Sequence, residues 1–152
     1  MQLAHYLGLL HHAEEELARA FGEIGDAHGD EPDVRHLCEQ LAAECRGHAE
    51  QLQPFADRYG EEADDEPERL RSELFAGTRS GPLGLLRDLH DLYLMATECD
   101  IVWTLVGQAA QGARDRDLLD VVQRCEGETA VQLKWLRTRM KQAAPQALVV
   151  AR

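Results

Sequence analysis

Residues 34–59, VRHLCEQLAAECRGHAEQLQPFADRY, place Val34, Leu37, Leu41, Cys45, His48, Leu52, Phe55 and Tyr59 at steps of 3, 4, 4, 3, 4, 3 and 4. That is the period of one buried helix face. A strand alternates its side chains every two residues and cannot hold this set on one side. The stretch therefore predicts a helix of about seven turns, with the polar His48 and the soft Cys45 on its inward stripe. Three other stretches repeat the pattern: Leu3, Leu7, Leu10, Glu14, Leu17, Phe21 and Ile24; Leu85, Leu89, Leu92, Ala96, Cys99, Trp103, Val106 and Ala110; and Leu118, Val122, Cys125, Thr129, Leu133, Leu136 and Met140. Composition agrees, since Ala, Leu, Glu, Arg and Gln dominate while aromatics make up 5% and an all-α chain is the expectation.

The punctuation between the stripes sets the boundaries. GDEPD ends helix 1, with Gly29 as a C-terminal cap signal and Pro32 in the first turn of helix 2. GARDRD is an equally short turn before helix 4, and Pro145 closes that helix. Helices over about 2–28, 32–59, 82–112 and 115–143 follow, with a connection over 60–81 and an apolar tail over 144–152. Pro54 predicts a kink in helix 2 by crowding the carbonyl of Glu50. Short turns make helices 1 and 2, and helices 3 and 4, antiparallel neighbours. The long connection, which includes an amphipathic piece with Leu70, Leu74 and Phe75, can cross a helix about 40 Å long. The expected fold is one domain of 152 residues, an all-α four-helix bundle of two antiparallel hairpins joined by a long crossover between helices 2 and 3.

A chain of this length buries roughly 70% of its unfolded surface and needs no staple. Its four cysteines, Cys38, Cys45, Cys99 and Cys125, lie at wide spacings inside predicted helices, which suits reduced thiols in the cytoplasm. The formal charge of −12 opposes non-specific nucleic-acid binding, which relies on Lys and Arg neutralising phosphates. No apolar run approaches the roughly 20 residues needed to span a bilayer, so no membrane association is expected. No nucleophile elbow, phosphate loop or dinucleotide fingerprint is present.

Helices of similar length bring their midpoints, near residues 15, 45, 97 and 129, to one layer. Glu14, Cys45, His48, Glu98, Cys99, Cys125 and Glu126 stand at or beside that layer and are the candidate metal ligands. Helical phase leaves open whether Glu98 or Cys99 faces inward. The cysteines read equally as small core hydrophobes, and His48 as a core histidine satisfied by Glu14 or a carbonyl. Gly47 and Gly127, in helix interiors, imply either close helix approach or room for a small ligand. His11 and His12 with Glu15 and Glu16 resemble the His-x-x-x-Glu element of hemerythrin-like proteins but read as a solvated face.

With these residues in place the chain resembles the ferritin-like superfamily over essentially its whole length, and LAAECRGHAEQL resembles the second-helix motif of rubrerythrin-type and stress-associated members. The resemblance implies a carboxylate from each of helices 1 and 3 and a Glu-x-x-His from each of helices 2 and 4 around two iron or manganese ions. Glu14 matches the first-helix carboxylate and Glu98 the third. Cys45 stands where the second helix supplies its Glu. In helix 4, Glu126 matches the carboxylate and Thr129 replaces the second His.

One bridging carboxylate and one imidazole are thus replaced, and the pattern implies an eroded di-metal site. The expectation is a non-catalytic cytoplasmic binding or interaction protein with no cofactor, assembled as a homodimer through an exposed helix face or docked to another protein. The alternative is a single zinc or iron site, with a redox or stress role if iron, in which Glu14, Cys45 and His48 join Cys99 or Cys125. Soft N and S ligands suit tetrahedral zinc.

Overall fold

A computed structural model describes residues 2–61 and 73–151. Four helices carry the fold: α1 (Leu3–Ala27), α2 (Pro32–Gly60), α3 (Gly81–Gly112) and α4 (Arg116–Pro145), followed by a single π-helical turn over Gln146–Val150. The sequence boundaries hold to within two residues at every helix end. The tail differs, because its apolar residues continue α4 as that π-helical turn, with Ala147 buried and Leu148, Val149 and Val150 exposed.

Every position of the α1 and α3 stripes is buried. Phe21 and Trp103 are wholly enclosed with Leu7, Leu10, Leu17, Leu89 and Leu92, and side chains of this size each contribute about 1.5–3 kcal/mol on burial. On α2, Cys38 is buried in the core while Leu37 stays half-exposed. Close packing of the first hairpin explains that choice: a Cβ added to Gly25 would lie 3.0 Å from the Cβ of Cys38, so the two helices approach where neither residue is bulky. The second hairpin has an equivalent contact, Gly107 against Val122 at 3.0 Å. Gly47 and Gly127 make no such approach, since nothing lies within 4 Å of a Cβ at either.

α1 packs on α2 and on α3, while α4 packs on α3 and on α2. Leu3 and Tyr6 share an apolar groove with Val106 and Ala109, whereas His28 meets Asp88, so α1 and α3 are antiparallel. Asp33 meets Arg139 and Arg58 meets Asp115, so α2 and α4 are antiparallel too. The order is up, down, down, up. The connection from Glu61 to Gly81 therefore joins opposite ends of the bundle, as the crossover predicted. Of its amphipathic piece, Leu70 lies outside the described residues, Leu74 is exposed, and Phe75 packs on the core beside Leu9 and Met95.

The helix ends follow local chemistry. Asp115 caps α4 by accepting from the backbone N–H of Leu118 at 3.1 Å. α1 ends at His28 with φ −114°, not at a left-handed Gly29. The left-handed glycines are Gly77 (φ 123°) and Gly81 (φ 75°), which bracket the approach to α3. Between them Arg79 is held by its backbone N–H to Asp88 Oδ2 at 2.9 Å and by its guanidinium to Asp88 and Asp91. α2 stays helical through Pro54.

Candidate metal centre

Where α2 faces α4, polar pairs run the length of the bundle: Asp33 with Arg139, Glu44 with Gln132, His48 with Glu128, and Arg58 and Tyr59 with Asp115. The middle of that seam is the candidate site. His48 is 1% exposed, and both of its ring nitrogens face carboxylate oxygens, Nδ1 at 3.2 Å from Glu14 Oε1 and Nε2 at 3.1 Å from Glu128 Oε2. Glu14 is held from the far side by the indole of Trp103, whose Nε1 donates to the same Oε1 at 2.8 Å. Trp103 also sets its edge against the imidazole, with centroids 5.9 Å apart and planes at 87°. Orientation of a histidine by a buried carboxylate is the usual outer-sphere arrangement at metal sites, since it fixes the ring and its tautomer.

Glu44 stands one helical turn before His48 and accepts from Gln132 Nε2 at 2.8 Å. Ligand atoms of Glu44, His48 and Glu128 all lie within 4.8 Å of one another, the one such group of His, Cys, Asp or Glu among the described residues. Glu128 is half-exposed, so the group opens to solvent on the α4 side. Gly47 and Gly127, each next to a member of the group, have nothing within 4 Å of their Cβ positions.

Charge is unbalanced here. Glu14, Glu44 and Glu128 surround one imidazole, and among the described residues no Lys or Arg pairs with any of them. Burial is the largest influence on Glu44 and raises its pKa; the nearby Glu128 adds to this, while the Gln132 N–H opposes it. For His48, burial disfavours the imidazolium, yet hydrogen bonds and charge from Glu14 and Glu128 outweigh it and raise the pKa above 6.5. The second oxygen of Glu14, Oε2, is buried without a hydrogen-bond partner, a condition that costs on the order of 1–3 kcal/mol.

The candidate residues separate into three groups. Glu14 and His48 meet directly. Cys45, Cys99 and Cys125 are all wholly buried beside them, with Cys45 Sγ 3.6 Å from Gln132 Nε2. Burial, then the Glu14 charge, pushes Cys45 and Cys99 well above the ordinary thiol range, and Cys125 is pushed up to about 12 by the same two causes. With no cation beside them, thiols so disposed stay protonated. Glu98 and Glu126 lie away from the centre: Glu98 lines the α1–α3 groove with Arg19 and Phe75, and Glu126 accepts from Thr104 at 3.4 Å. Cys99, not Glu98, is the inward residue.

Glu44, Glu128 and Gln132 were not among the candidates. The available signal was a four-residue spacing, Glu44 to His48 on α2 and Glu128 to Gln132 on α4, which puts each pair on one helix face. A di-metal centre does not fit, because α3 presents Trp103 at this level and contributes no carboxylate. One cation fits the donor set of two carboxylates and one imidazole. No protein-family model matches the chain, and comparison with curated proteins and with solved structures finds no match. Among the described residues no helix is long and apolar enough to cross a membrane.

Proposed function

We propose that this chain is a ferritin-like bundle whose di-metal site has been reduced to a centre for one divalent ion of the zinc or ferrous-iron kind, held by Glu44, His48 and Glu128. The observation that carries this reading is the convergence of those three ligand atoms at a histidine already fixed by Glu14 and Trp103. Glu44 and Glu128 supply the charge, Glu14 orients the imidazole so that Nε2 faces the seam, and Trp103 orients Glu14. Such an ion acts as a Lewis acid at its open positions. The up-down-down-up helix order supports the ferritin-like reading, and four buried free thiols support a cytoplasmic location.

Zinc titration by calorimetry tests the centre. The wild-type chain should bind one ion, and His48→Leu and Glu128→Ala should each weaken binding at least tenfold while far-UV circular dichroism stays unchanged. A wild-type chain that takes up no zinc and no ferrous iron overturns the reading.

A second reading has its own support. Two carboxylates facing both ring nitrogens also satisfy an imidazolium, which makes the cluster a structural ion triad in a metal-free interaction protein. Exposed Leu94, Ile101 and Leu105 on α3, with Leu148 to Val150 beyond α4, then form the contact surfaces of a homodimer or of a complex with another protein. Light scattering of a chain truncated after Pro145 tests the tail's part, because an unchanged mass removes it as an assembly element.

A further inference from the structure

Gln132 is 1% exposed, yet it lies in the polar seam one turn beyond Glu128. Its amide has two ends to satisfy and little choice of how to do so. Glu44 Oε1 accepts from Nε2 at 2.8 Å, which sets the NH₂ end toward the carboxylate. The Cys45 thiol packs under the amide, with Sγ 3.6 Å from Nε2 and 3.8 Å from Oε1. A neutral S–H can donate weakly to the carbonyl end, whereas a carboxylate at position 45 would repel it. The amide and the thiol therefore hold one orientation, with the N–H aimed at Glu44.

We propose that Gln132 is a positioning residue for the metal centre: its amide N–H pins one oxygen of Glu44 and leaves the other to face His48 and Glu128. The inference rests on the single-ion reading above. Gln132 itself contributes no ligand, and Cys45 packs beneath its amide. This assigns a role to a cysteine at the place where the superfamily supplies a carboxylate, because a thiol there leaves the seam with a donor amide in place of another anion. Each ligand on α2 then has its own support, Trp103 through Glu14 for His48 and Gln132 for Glu44.

A double-mutant cycle on the full chain tests it, with zinc affinity and melting temperature measured for wild type, Gln132→Met, Glu44→Ala and the double variant. Gln132→Met keeps the volume and removes the donor. It should weaken zinc binding about 10- to 100-fold, the range for lost outer-sphere partners. In the Glu44→Ala background the same change should have no further effect, because its only route to the ion is gone. Equal losses in both backgrounds, or wild-type affinity in Gln132→Met, would overturn the proposal. Should Gln132→Met fail to fold, Gln132→Asn, one methylene too short to reach Glu44, is held to the same two criteria. A wild-type chain that binds no metal removes the centre and this role together, whereas wild-type binding with an indifferent Gln132 removes this role alone.

Discussion

At the scale of single residues the interior thiols are kept neutral by burial. All four cysteines are buried and reduced, and two of them quantify the effect. Burial, with the Asp33 charge behind it, pushes Cys38 up to about 12, and burial with Glu14 does the same to Cys125. At pH 8 a thiol of that pKa is thiolate in roughly one molecule in ten thousand. Neither cysteine should react with iodoacetamide in the folded protein over an hour, and all should react in concentrated guanidinium. Mass spectrometry of the alkylated chain checks this, and rapid native labelling of Cys38 or Cys125 would contradict it. Glu44 and Glu128, by contrast, sit at the half-open seam. They were hard to find from sequence for a physical reason: each is rotated about 100° from its helix's apolar stripe, where a carboxylate ordinarily belongs to the solvated flank.

At the scale of elements most of the fold was legible. Heptad-like spacing places the whole of α1 and α3 correctly, because long apolar stripes have one way to be buried. The phase slips on α2, where Cys38 displaces Leu37 at a contact set by Gly25, a close approach that a stripe cannot encode. Capping was legible in part, since Gly29 carried the expected signal while His28 ends α1 without a left-handed residue. α4 begins on Asp115. Partial burial tends to raise that carboxyl, but the Tyr59 hydroxyl, the Leu118 N–H and Arg58 outweigh it and hold the pKa below 3.8. A depressed folded-state pKa contributes stability above the unfolded value that is lost as pH falls through the folded one. Asp115→Ala should therefore cost about 1 kcal/mol near neutrality, the usual loss of an N-cap. The gap from wild type should shrink as pH drops below about 4. Melting curves from neutral to acid pH would show this, and a gap that stays constant to pH 3 would contradict it.

At the scale of the whole molecule, two hairpins are joined by unlike seams. α1 against α3 is largely apolar, with the Trp103–Glu14 hydrogen bond at its middle and a buried polar cluster at the upper end, where Asp88, fully buried, takes His28 Nε2 at 2.8 Å and the Arg79 backbone and guanidinium. That cluster fastens the end of the crossover to both helices. Asp88→Ala leaves the buried His28 without its side-chain partner and Arg79 with Asp91 alone, a loss of about 1–3 kcal/mol. Urea unfolding checks it, and a change under 1 kcal/mol would show that the cluster does not hold the crossover. α2 against α4 is polar along its length, and a cation between Glu44, His48 and Glu128 would tie the hairpins at the middle of that seam. Metal per chain, measured by plasma mass spectrometry on protein purified without chelators or a histidine tag, tests this account most directly. One zinc or iron per chain, lost in His48→Leu, is the expected result; metal-free protein that takes up neither zinc nor ferrous iron, or two ions per chain, would rule out the single-ion centre.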